Sequence, residues 1–264
     1  MTKDDTLTVW QVVELARHPE RPYALDYIRR WAPDFVELHG DRLGADDSAL
    51  VGGVGSWAGR TVMFLGQQKG RNFPERVRRN FGMMHPEGYR KAMRLARQAA
   101  KFRFPVVCLI DTPGAYPGAA AEERGIAAAI AHSIMEWFWL PIPVVAAVIG
   151  EGGSGGAMPE AAASIVWRDN SRKVEVAEQL QITSRDLLAM GVVEEVVEEP
   201  AGGAHTDFDA TAKALERTIL RYLEALTRTP TEELLQHRYE RFRYIDSLIH
   251  ADADFGPKVG SGPA

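Results

Sequence analysis

Two glycine-rich stretches could do chemistry with backbone groups alone. The first is DTPGAYPG, residues 111–118, and the second is GEGGSGG, residues 150–156. Glycine permits positive φ and lets a ligand come close to the backbone, and N–H groups at the start of a helix point outward without partners. Such groups stabilise negative charge that develops on an oxygen atom. The two stretches therefore predict an oxyanion site that needs no reactive side chain.

The second stretch also matches the pattern G-x-S-x-G, with Ser154 as a candidate nucleophile. This interpretation predicts a serine hydrolase, which needs an acid and then a histidine further along the chain. The candidates are Asp186 and Asp207 with His205, His237 and His250. None of them follows a clear strand-end signal, and G-x-S-x-G is easily met by accident among so many glycines. Backbone stabilisation is therefore the favoured interpretation.

A buried strand leads into each stretch. Residues 104–111, FPVVCLID, and residues 144–149 are continuous apolar runs, which are typical of strands buried on both faces. Residues 85–102 and 119–140 precede them, with the composition and apolar spacing of helices. The alternation predicts a parallel α/β layout with both glycine-rich stretches at the carboxyl ends of strands, where such proteins build their sites.

The flanking segments are simpler. Residues 5–19 predict a short helix that ends at Pro19, and residues 21–40 continue in helical spacing. Ala58-Gly59-Arg60 predicts a turn between two strands, the second running from Val62 to Leu65. Beyond Pro200 the chain reads as helical again.

Composition excludes several classes of protein. The chain has 264 residues, 25% of them charged, with a formal net charge of -5 and an isoelectric point near 5.8, which argues against nucleic-acid binding. Cys108 is the single cysteine, so neither an intrachain disulfide nor a cysteine-rich metal site is possible, and we expect no metal on this chain. The N-terminus lacks the apolar core of a signal peptide, and no apolar run could cross a bilayer, so we expect a cytoplasmic protein.

Several motifs together resemble a known family. They are RPYALDYI, FVELHGDR, GQQKGR, RRNFGMMHPEGYRKA, IDTPGAYPG, AEERG, IGEGGSGGA and PAGGAH, which follow one another from about Arg21 to His205. In this order they resemble the carboxyltransferase alpha subunits of bacterial acetyl-CoA carboxylase. The pair RRNFGMMHPEGYRKA and DTPGAYPGAAAEERG is highly specific.

The resemblance implies an α/β fold of the crotonase type, a spiral of ββα units with helical extensions at both ends. It implies a single carboxyltransferase domain made of a helical lead-in (1–45), a crotonase-like core (46–200), a helical C-terminal segment (207–250) and a flexible tail (251–264). No second domain is expected.

The same resemblance implies the activity and the partners. Members of the family transfer the carboxyl group of carboxybiotin, held on a biotin carboxyl carrier protein, to acetyl-CoA, and the malonyl-CoA formed enters fatty acid synthesis. The alpha subunit works in a heterotetramer of two alpha and two beta subunits, alongside biotin carboxylase, and the zinc ribbon lies on the beta subunit. This chain should therefore be inactive alone.

The resemblance also assigns roles to the glycine-rich stretches. The backbone N–H groups of Gly155, Gly156, Gly114 and Ala115 would stabilise the ureido oxygen of biotin, and Ser154 becomes a small spacer. Gly152, Gly153 and Tyr116 would line the biotin pocket, and simple packing is the alternative role for Tyr116. The biotin anion can take the α-proton of acetyl-CoA, so no general base from the protein is required.

The basic stretch KGRNFPERVRRN supplies a further candidate surface. With the family in view, Lys69, Arg71, Arg78 and Arg79 are expected to meet the phosphates of CoA or an acidic carrier protein. A solvated surface crossed by salt bridges is the alternative for such a charge run.

The family pattern breaks at one point. It continues after IGEGGSGGA with a helix, a strand and a connecting loop, whereas here Pro159 follows Met158 directly. Either the printed sequence omits residues at this point, or the chain has lost them together with the helix behind the oxyanion site. The clean return of the pattern at PEAAASIVWRD favours the first explanation.

Two other functions stay open at this stage. A deletion could leave a scaffold that keeps the fold without the activity. A hydratase of the crotonase type would need carboxylates in the site, and only Glu122, Glu123 and Glu151 are near the glycine-rich stretches.

Overall fold

A five-stranded sheet forms the centre of the computed structural model, which describes residues 7–153 and 159–251. The strands lie in the sheet in chain order: β1 (Val36–Glu37), β2 (Leu50–Trp57), β3 (Arg60–Gln67), β4 (Val106–Thr112) and β5 (Val144–Gly152). The pairs β1–β2 and β2–β3 are antiparallel, and β3–β4 and β4–β5 are parallel. The predicted parallel layout is confirmed for the half of the sheet that carries the glycine-rich stretches.

Helices cover both faces of this sheet. Within the described residues they are α1 (Val9–Ala16), α2 (Ala24–Trp31), α3 (Phe73–Arg78), α4 (Pro86–Phe102), α5 (Ala119–Glu123), α6 (Ile126–Phe138), α7 (Pro159–Ala162), α8 (Lys173–Gln179), α9 (Ser184–Ala189), α10 (Phe208–Arg228) and α11 (Thr231–Ala251). Across the same residues, no helix has both the length and the apolar character that a bilayer span requires.

Residues 21–40 are helical only in their first half, so that prediction is wrong beyond Trp31. Pro33 follows the end of α2 and disfavours helical backbone in the residue before it. The chain then turns extended, and Val36 pairs with Val54 of β2. The alternation of apolar and polar residues in this segment fits either conformation, and pairing with a distant strand decides it.

The β2–β3 hairpin closes through the predicted turn. Ala58 and Gly59 both have positive φ, 49° and 75°, which is the backbone geometry of a two-residue turn between twisted strands. Upstream, glycines let β1 approach β2 closely: a Cβ atom on Gly53 would lie 2.1 Å from the carbonyl oxygen of Val36. The glycine cluster of residues 52–55 is thus a packing feature of the sheet.

Side chains of β3 alternate between two hydrophobic clusters, as strand geometry requires. Val62 and Phe64 point to a cluster that includes Tyr27 and Trp31 of α2 and, from α10, Ile219. The intervening residues of β3 join a second cluster that is built around α4. The core therefore lies in two layers, one on each face of the sheet.

Strand β5 is not buried on both faces, which corrects the prediction for residues 144–149. It pairs with β4 alone within the described residues, and Ala146 and Val148 are exposed. An apolar run predicts burial only when another element covers it. None of the described elements covers this side of β5.

The C-terminal part is helical as predicted, and Pro230 separates α10 from α11. Asp207 caps α10, where its side chain accepts a hydrogen bond from the Ala210 N–H at 2.9 Å. The predicted flexible tail lies outside the described residues, apart from Ala251.

Leu109 of β4 tests the packing of the first cluster. It is 1% exposed, and we expect Leu109→Ala to lower the free energy of unfolding by about 2–5 kcal/mol because the substitution leaves a cavity. Leu43 is 77% exposed and serves as the matched control, with an expected change within about 0.5 kcal/mol. Urea denaturation followed by circular dichroism measures both, and equal effects would contradict this packing.

Candidate active site

The carboxyl ends of β3, β4 and β5 lie side by side, because these strands are parallel. Thr112 at the end of β4 pairs with Gly152 at the end of β5. The two glycine-rich stretches continue from these two residues. The structure therefore brings residues 111–118 and the start of residues 150–156 together, as the strand pattern predicts.

The two stretches are tied directly to each other. The Gly153 N–H donates a hydrogen bond to the carbonyl oxygen of Thr112, at 2.8 Å. A Cβ atom on Gly153 would lie 2.4 Å from the carbonyl oxygen of Pro113, so only glycine fits here. The Thr112 hydroxyl lies 2.7 Å from the carbonyl oxygen of Gly82, which fixes the base of the first stretch. The relative position of the two stretches is set by backbone contacts.

The predicted donors of the first stretch differ from each other. Gly114 has a φ of 149°, and its N–H donates to the Thr112 hydroxyl oxygen at 3.1 Å. The Tyr116 N–H donates to the carbonyl oxygen of Met84, also at 3.1 Å. Between them, the Ala115 N–H makes no hydrogen bond with residues 7–153 or 159–251. Ala115 thus carries a backbone donor with no hydrogen-bond partner among the described residues.

The remaining predicted donors cannot be placed. Gly155 and Gly156 lie outside the described residues, and so does Ser154. Their roles stay predictions. Gly152 and Gly153, which precede them, are described and lie beside the first stretch.

The proposed partners of a Ser154 triad have other contacts. Asp186 accepts hydrogen bonds from Thr183 at the start of α9, and Asp207 caps α10. His205 stacks on His18 with ring centroids 3.7 Å apart. His237 is exposed on α11 beside Glu233, and the side chain of His250 lies outside the described part.

A cluster of charged side chains lies beneath the strand ends. The Lys69 ammonium is 2.7 Å from Asp111 Oδ1 and 2.7 Å from Glu151 Oε1. On its other side, Glu151 binds Arg17, the residue after α1, at 2.7 Å, and Arg17 also binds Glu160 of α7 at 2.5 Å. These contacts link the ends of three neighbouring strands to two helices.

Asp111 is the most enclosed member of this cluster. Its side chain is buried, and burial raises the pKa of the Asp111 carboxyl, while the nearby Lys69 ammonium acts in the opposite direction. Oδ1 also accepts the Glu151 N–H at 2.9 Å. Oδ2 is buried and finds no partner among the described residues. Lys69 is the cation that directly contacts this carboxyl group.

The basic residues of the stretch 69–80 are mostly engaged within the protein. Lys69 is 13% exposed and belongs to the cluster above. Arg71 lies over the Tyr23 ring at 4.2 Å and donates to the Arg21 carbonyl at 2.8 Å. Arg79 binds Glu75 at 2.9 Å, whereas Arg78 is 64% exposed with its nearest carboxylate at 4.0 Å. A phosphate-binding role for the four stays a prediction, and Arg78 is the most accessible of them.

Tyr116 packs against residues that the sequence did not single out. Its ring lies 4.1 Å from the His85 ring, between centroids. His85 Nδ1 is 3.0 Å from Arg124, and Arg124 binds Glu87 at 3.0 Å. Tyr116 therefore packs, next to Ala115, on a histidine that an ion pair holds in place.

Sequence reasoning missed Asp111 and assigned no role in an ion cluster to Glu151. A signal was present for both, since each is an acidic residue at the end of an otherwise apolar strand run. An ionisable group in that position needs a buried partner. The partner, Lys69, lies at the end of a third strand.

Metal ligands do not gather anywhere in residues 7–153 and 159–251. Groups of three or more histidine, cysteine, aspartate or glutamate side chains placed to hold a metal ion are absent from these residues.

Comparison with known proteins identifies the family. The family model described as "Acetyl co-enzyme A carboxylase carboxyltransferase-like" matches residues 3–159 and 157–246. A relative named acetyl-coenzyme A carboxylase carboxyl transferase subunit alpha, from Xanthomonas campestris pv. campestris, is 49% identical over 257 residues, covering 90% of this chain and 81% of its own length. The chain belongs to this carboxyltransferase family. The relative of the same name from Geobacillus kaustophilus is 48% identical over 92% of the chain and 81% of its own length.

Solved structures agree on the fold. A chain of transcarboxylase 12S superposes on 84% of this chain with a TM-score of 0.60, at 18% sequence identity and over 45% of its own length. The crotonase-like α/β fold expected from the sequence is confirmed. None of these comparisons supports the serine hydrolase alternative.

The break in the family pattern is visible in the comparison too. The two matched segments meet at residues 157–159, where Pro159 follows Met158. The alignment to the Xanthomonas relative runs over 257 residues, yet it includes only 90% of the 264 residues of this chain. The relative therefore carries residues within the aligned region that this chain lacks. Strand β5 leads to this point, and its uncovered side is consistent with a missing neighbour.

Gly153 provides a test of the contact between the stretches. We expect Gly153→Ala to lower the free energy of unfolding by about 1–3 kcal/mol, because the new Cβ overlaps the Pro113 carbonyl. Gly152→Ala is the matched control, since its Cβ would meet only the Val148 side chain, at 3.3 Å. Urea denaturation of both variants measures the difference. An effect of Gly153→Ala no larger than that of Gly152→Ala would contradict the contact.

Proposed function

We propose that the chain is the alpha subunit of an acetyl-CoA carboxylase carboxyltransferase. It transfers the carboxyl group of carboxybiotin, as a co-substrate on a biotin carboxyl carrier protein, to acetyl-CoA and yields malonyl-CoA. Family membership at 49% identity supports the reaction class. The observation that carries the proposal is the pair of glycine-rich stretches held together at neighbouring strand ends.

The chemistry asks for backbone donors of this kind. Carboxyl transfer breaks the N–C bond of carboxybiotin, and the biotin anion that is released takes a proton from the methyl carbon of acetyl-CoA. That carbon then forms a C–C bond to the released carboxyl carbon. Negative charge then develops on the thioester oxygen and on the ureido oxygen of biotin. A fixed N–H donor stabilises such charge by about 3–4 kcal/mol. Rigid donors at strand ends supply this without a side chain that changes its protonation.

Ala115 is the strongest donor candidate among the described residues, because its N–H has no partner there. Gly114 contributes only if its N–H leaves the Thr112 hydroxyl, which is a weak neutral acceptor compared with an oxyanion. Gly155 and Gly156 complete the proposed donor set, with Ser154 between the glycines as a spacer. Acid–base chemistry by the protein is not part of this assignment.

Tyr116 and Arg78 are the proposed contacts for the rest of the substrates. The Tyr116 ring, held by His85, would wall the biotin pocket together with the backbone of Gly152 and Gly153. Arg78 is exposed and is proposed to meet a CoA phosphate or an acidic carrier protein. Arg71 and Arg79 are tied to neighbouring residues and would support this surface from below.

A beta subunit with a zinc ribbon is the proposed partner, in a heterotetramer that cooperates with biotin carboxylase in the cytoplasm. The exposed apolar side of α6 supports an association of this kind. Ile134 and Met135 are more than half exposed, and Trp139, which follows α6, is 66% exposed. A patch of this composition on a surface helix indicates a protein interface.

This patch gives a prediction for assembly. We expect Ile134→Glu to weaken binding to the beta partner at least tenfold, because a charge would be buried in an apolar interface. Leu43→Glu places the same charge at an exposed leucine elsewhere on the surface and should leave binding unchanged. Isothermal titration calorimetry of each variant with the beta partner measures the affinity. Equal affinities would place the interface elsewhere.

The reverse reaction tests the proposed activity. The chain is mixed with malonyl-CoA and a biotin derivative, with and without a zinc-ribbon beta partner, and release of acetyl-CoA is followed by chromatography. We expect release only when both subunits and biotin are present, because the donors of one chain serve only part of the site.

Two outcomes would contradict the proposal. Release by the chain alone would contradict the shared site. No release from a well-formed complex would mean that the residues lacking after Met158 are needed for catalysis, and the chain would then be a scaffold without carboxyltransferase activity.

A further inference from the structure

Lys69 is an unusual residue to find at the end of β3. It was expected to bind phosphate, yet its ammonium group lies between two carboxylates, and only 13% of the side chain is exposed. We propose that Lys69 is a positioning residue, which holds the ends of β4 and β5 at the spacing that the two glycine-rich stretches require. Its effect on catalysis rests on the proposed carboxyltransferase function, whereas its effect on the backbone does not.

The contacts of Lys69 bridge two strands. Asp111 belongs to β4 and Glu151 to β5, and the ammonium nitrogen lies 2.7 Å from a carboxylate oxygen of each. The Glu151 N–H donates to the Asp111 carboxyl at 2.9 Å. Gly150, next to Glu151, has no space for a side chain, since a Cβ atom there would lie 2.2 Å from Asp111 Oδ1. The carboxyl group of Asp111 therefore fills the gap between the strands, and Lys69 holds it there.

The bridge connects directly to the two stretches. Asp111 precedes Thr112, whose carbonyl oxygen accepts the Gly153 N–H and whose hydroxyl accepts the Gly114 N–H. Glu151 is two residues before Gly153. A shift of either carboxylate would thus move the backbone on which the proposed donors lie. Ala115 is the third residue after Thr112 and would follow the same movement.

Charge balance explains why the ammonium is needed. Glu151 has a second cation, Arg17, but Asp111 has no other cation in contact among the described residues. Without Lys69, two carboxylates would lie close together in a poorly hydrated region, and like charges so placed repel. The distance between the carboxylates of Asp111 and Glu151 would increase, or one of the two would take up a proton. Either change alters the spacing of the strand ends.

Accessibility separates this role from phosphate binding. The ammonium group forms ion pairs with two carboxylates, and only 13% of the side chain is exposed. A CoA phosphate would need to replace a carboxylate to bind. A positioning residue should change kcat, because it sets the geometry of the reaction, whereas a phosphate ligand should change KM.

The kinetic test uses Lys69→Met in the complex with the beta partner. We expect the kcat for biotin-dependent release of acetyl-CoA from malonyl-CoA to fall roughly 10–100-fold, because small displacements of donor groups have effects of this size. The KM for malonyl-CoA should stay within about twofold. Lys213→Met, at an exposed lysine of α10, is the control and should leave both constants unchanged. A rise in KM at constant kcat, or no change, would overturn the proposal.

Hydrogen exchange provides a readout that does not depend on activity. Lys69→Met should speed exchange of the backbone amides in residues 112–118 and 150–153, while the amides of α10 keep their wild-type rates. Glu151→Gln, which keeps the shape and removes one charge, is the second variant if Lys69→Met does not fold, and it should act in the same direction. Wild-type exchange at the strand ends in a folded variant would overturn the positioning role. An inactive wild-type complex would contradict only the proposed function.

Discussion

One partly buried ammonium group, that of Lys69, balances two carboxylates where β3, β4 and β5 end. A charge in such a place is expensive unless it is paired, and removing one partner of a buried pair typically costs about 3–5 kcal/mol. Asp111 and Glu151 are therefore confined to positions within reach of the same nitrogen. The strand ends that carry them are confined as well. This constraint is the foundation on which the glycine-rich stretches are placed.

The consequence for the proposed function is a site whose chemistry would lie in the backbone. The Ala115 N–H has no partner in the part of the chain that the structure describes, and the Gly153–Thr112 hydrogen bond fixes the second stretch beside the first. Backbone donors have no side-chain rotamers to adjust, so their usefulness depends on the rigidity of the supporting strands. The ion cluster beneath them, extended by Arg17 and Glu160, supplies that rigidity. This support ends at β5, because no described element covers the exposed side of that strand. The family pattern breaks shortly after the same strand.

The sequence predicted the elements with strong periodicity and the glycine-rich stretches at neighbouring strand ends. It failed where distant partners decide the outcome. Val36 joins a strand because β2 offers an edge, and β5 is exposed because no described element covers it. Lys69 and Glu151 are 82 positions apart in the sequence, so the local charge pattern does not reveal their contact. The basic run by itself predicts an exposed surface. Gly155 and Gly156 lie outside the described residues, so their roles as hydrogen-bond donors stay predictions.

A double-mutant cycle between Lys69 and Asp111 tests the central claim most directly. The free energies of unfolding of the wild type, Lys69→Met, Asp111→Asn and the double variant are measured by urea denaturation. If the ammonium group holds the Asp111 carboxylate in place, the double variant should lose less stability than the sum of the single variants, by about 1–3 kcal/mol. Additivity within about 0.5 kcal/mol would show that the two groups do not depend on each other, and it would contradict the account.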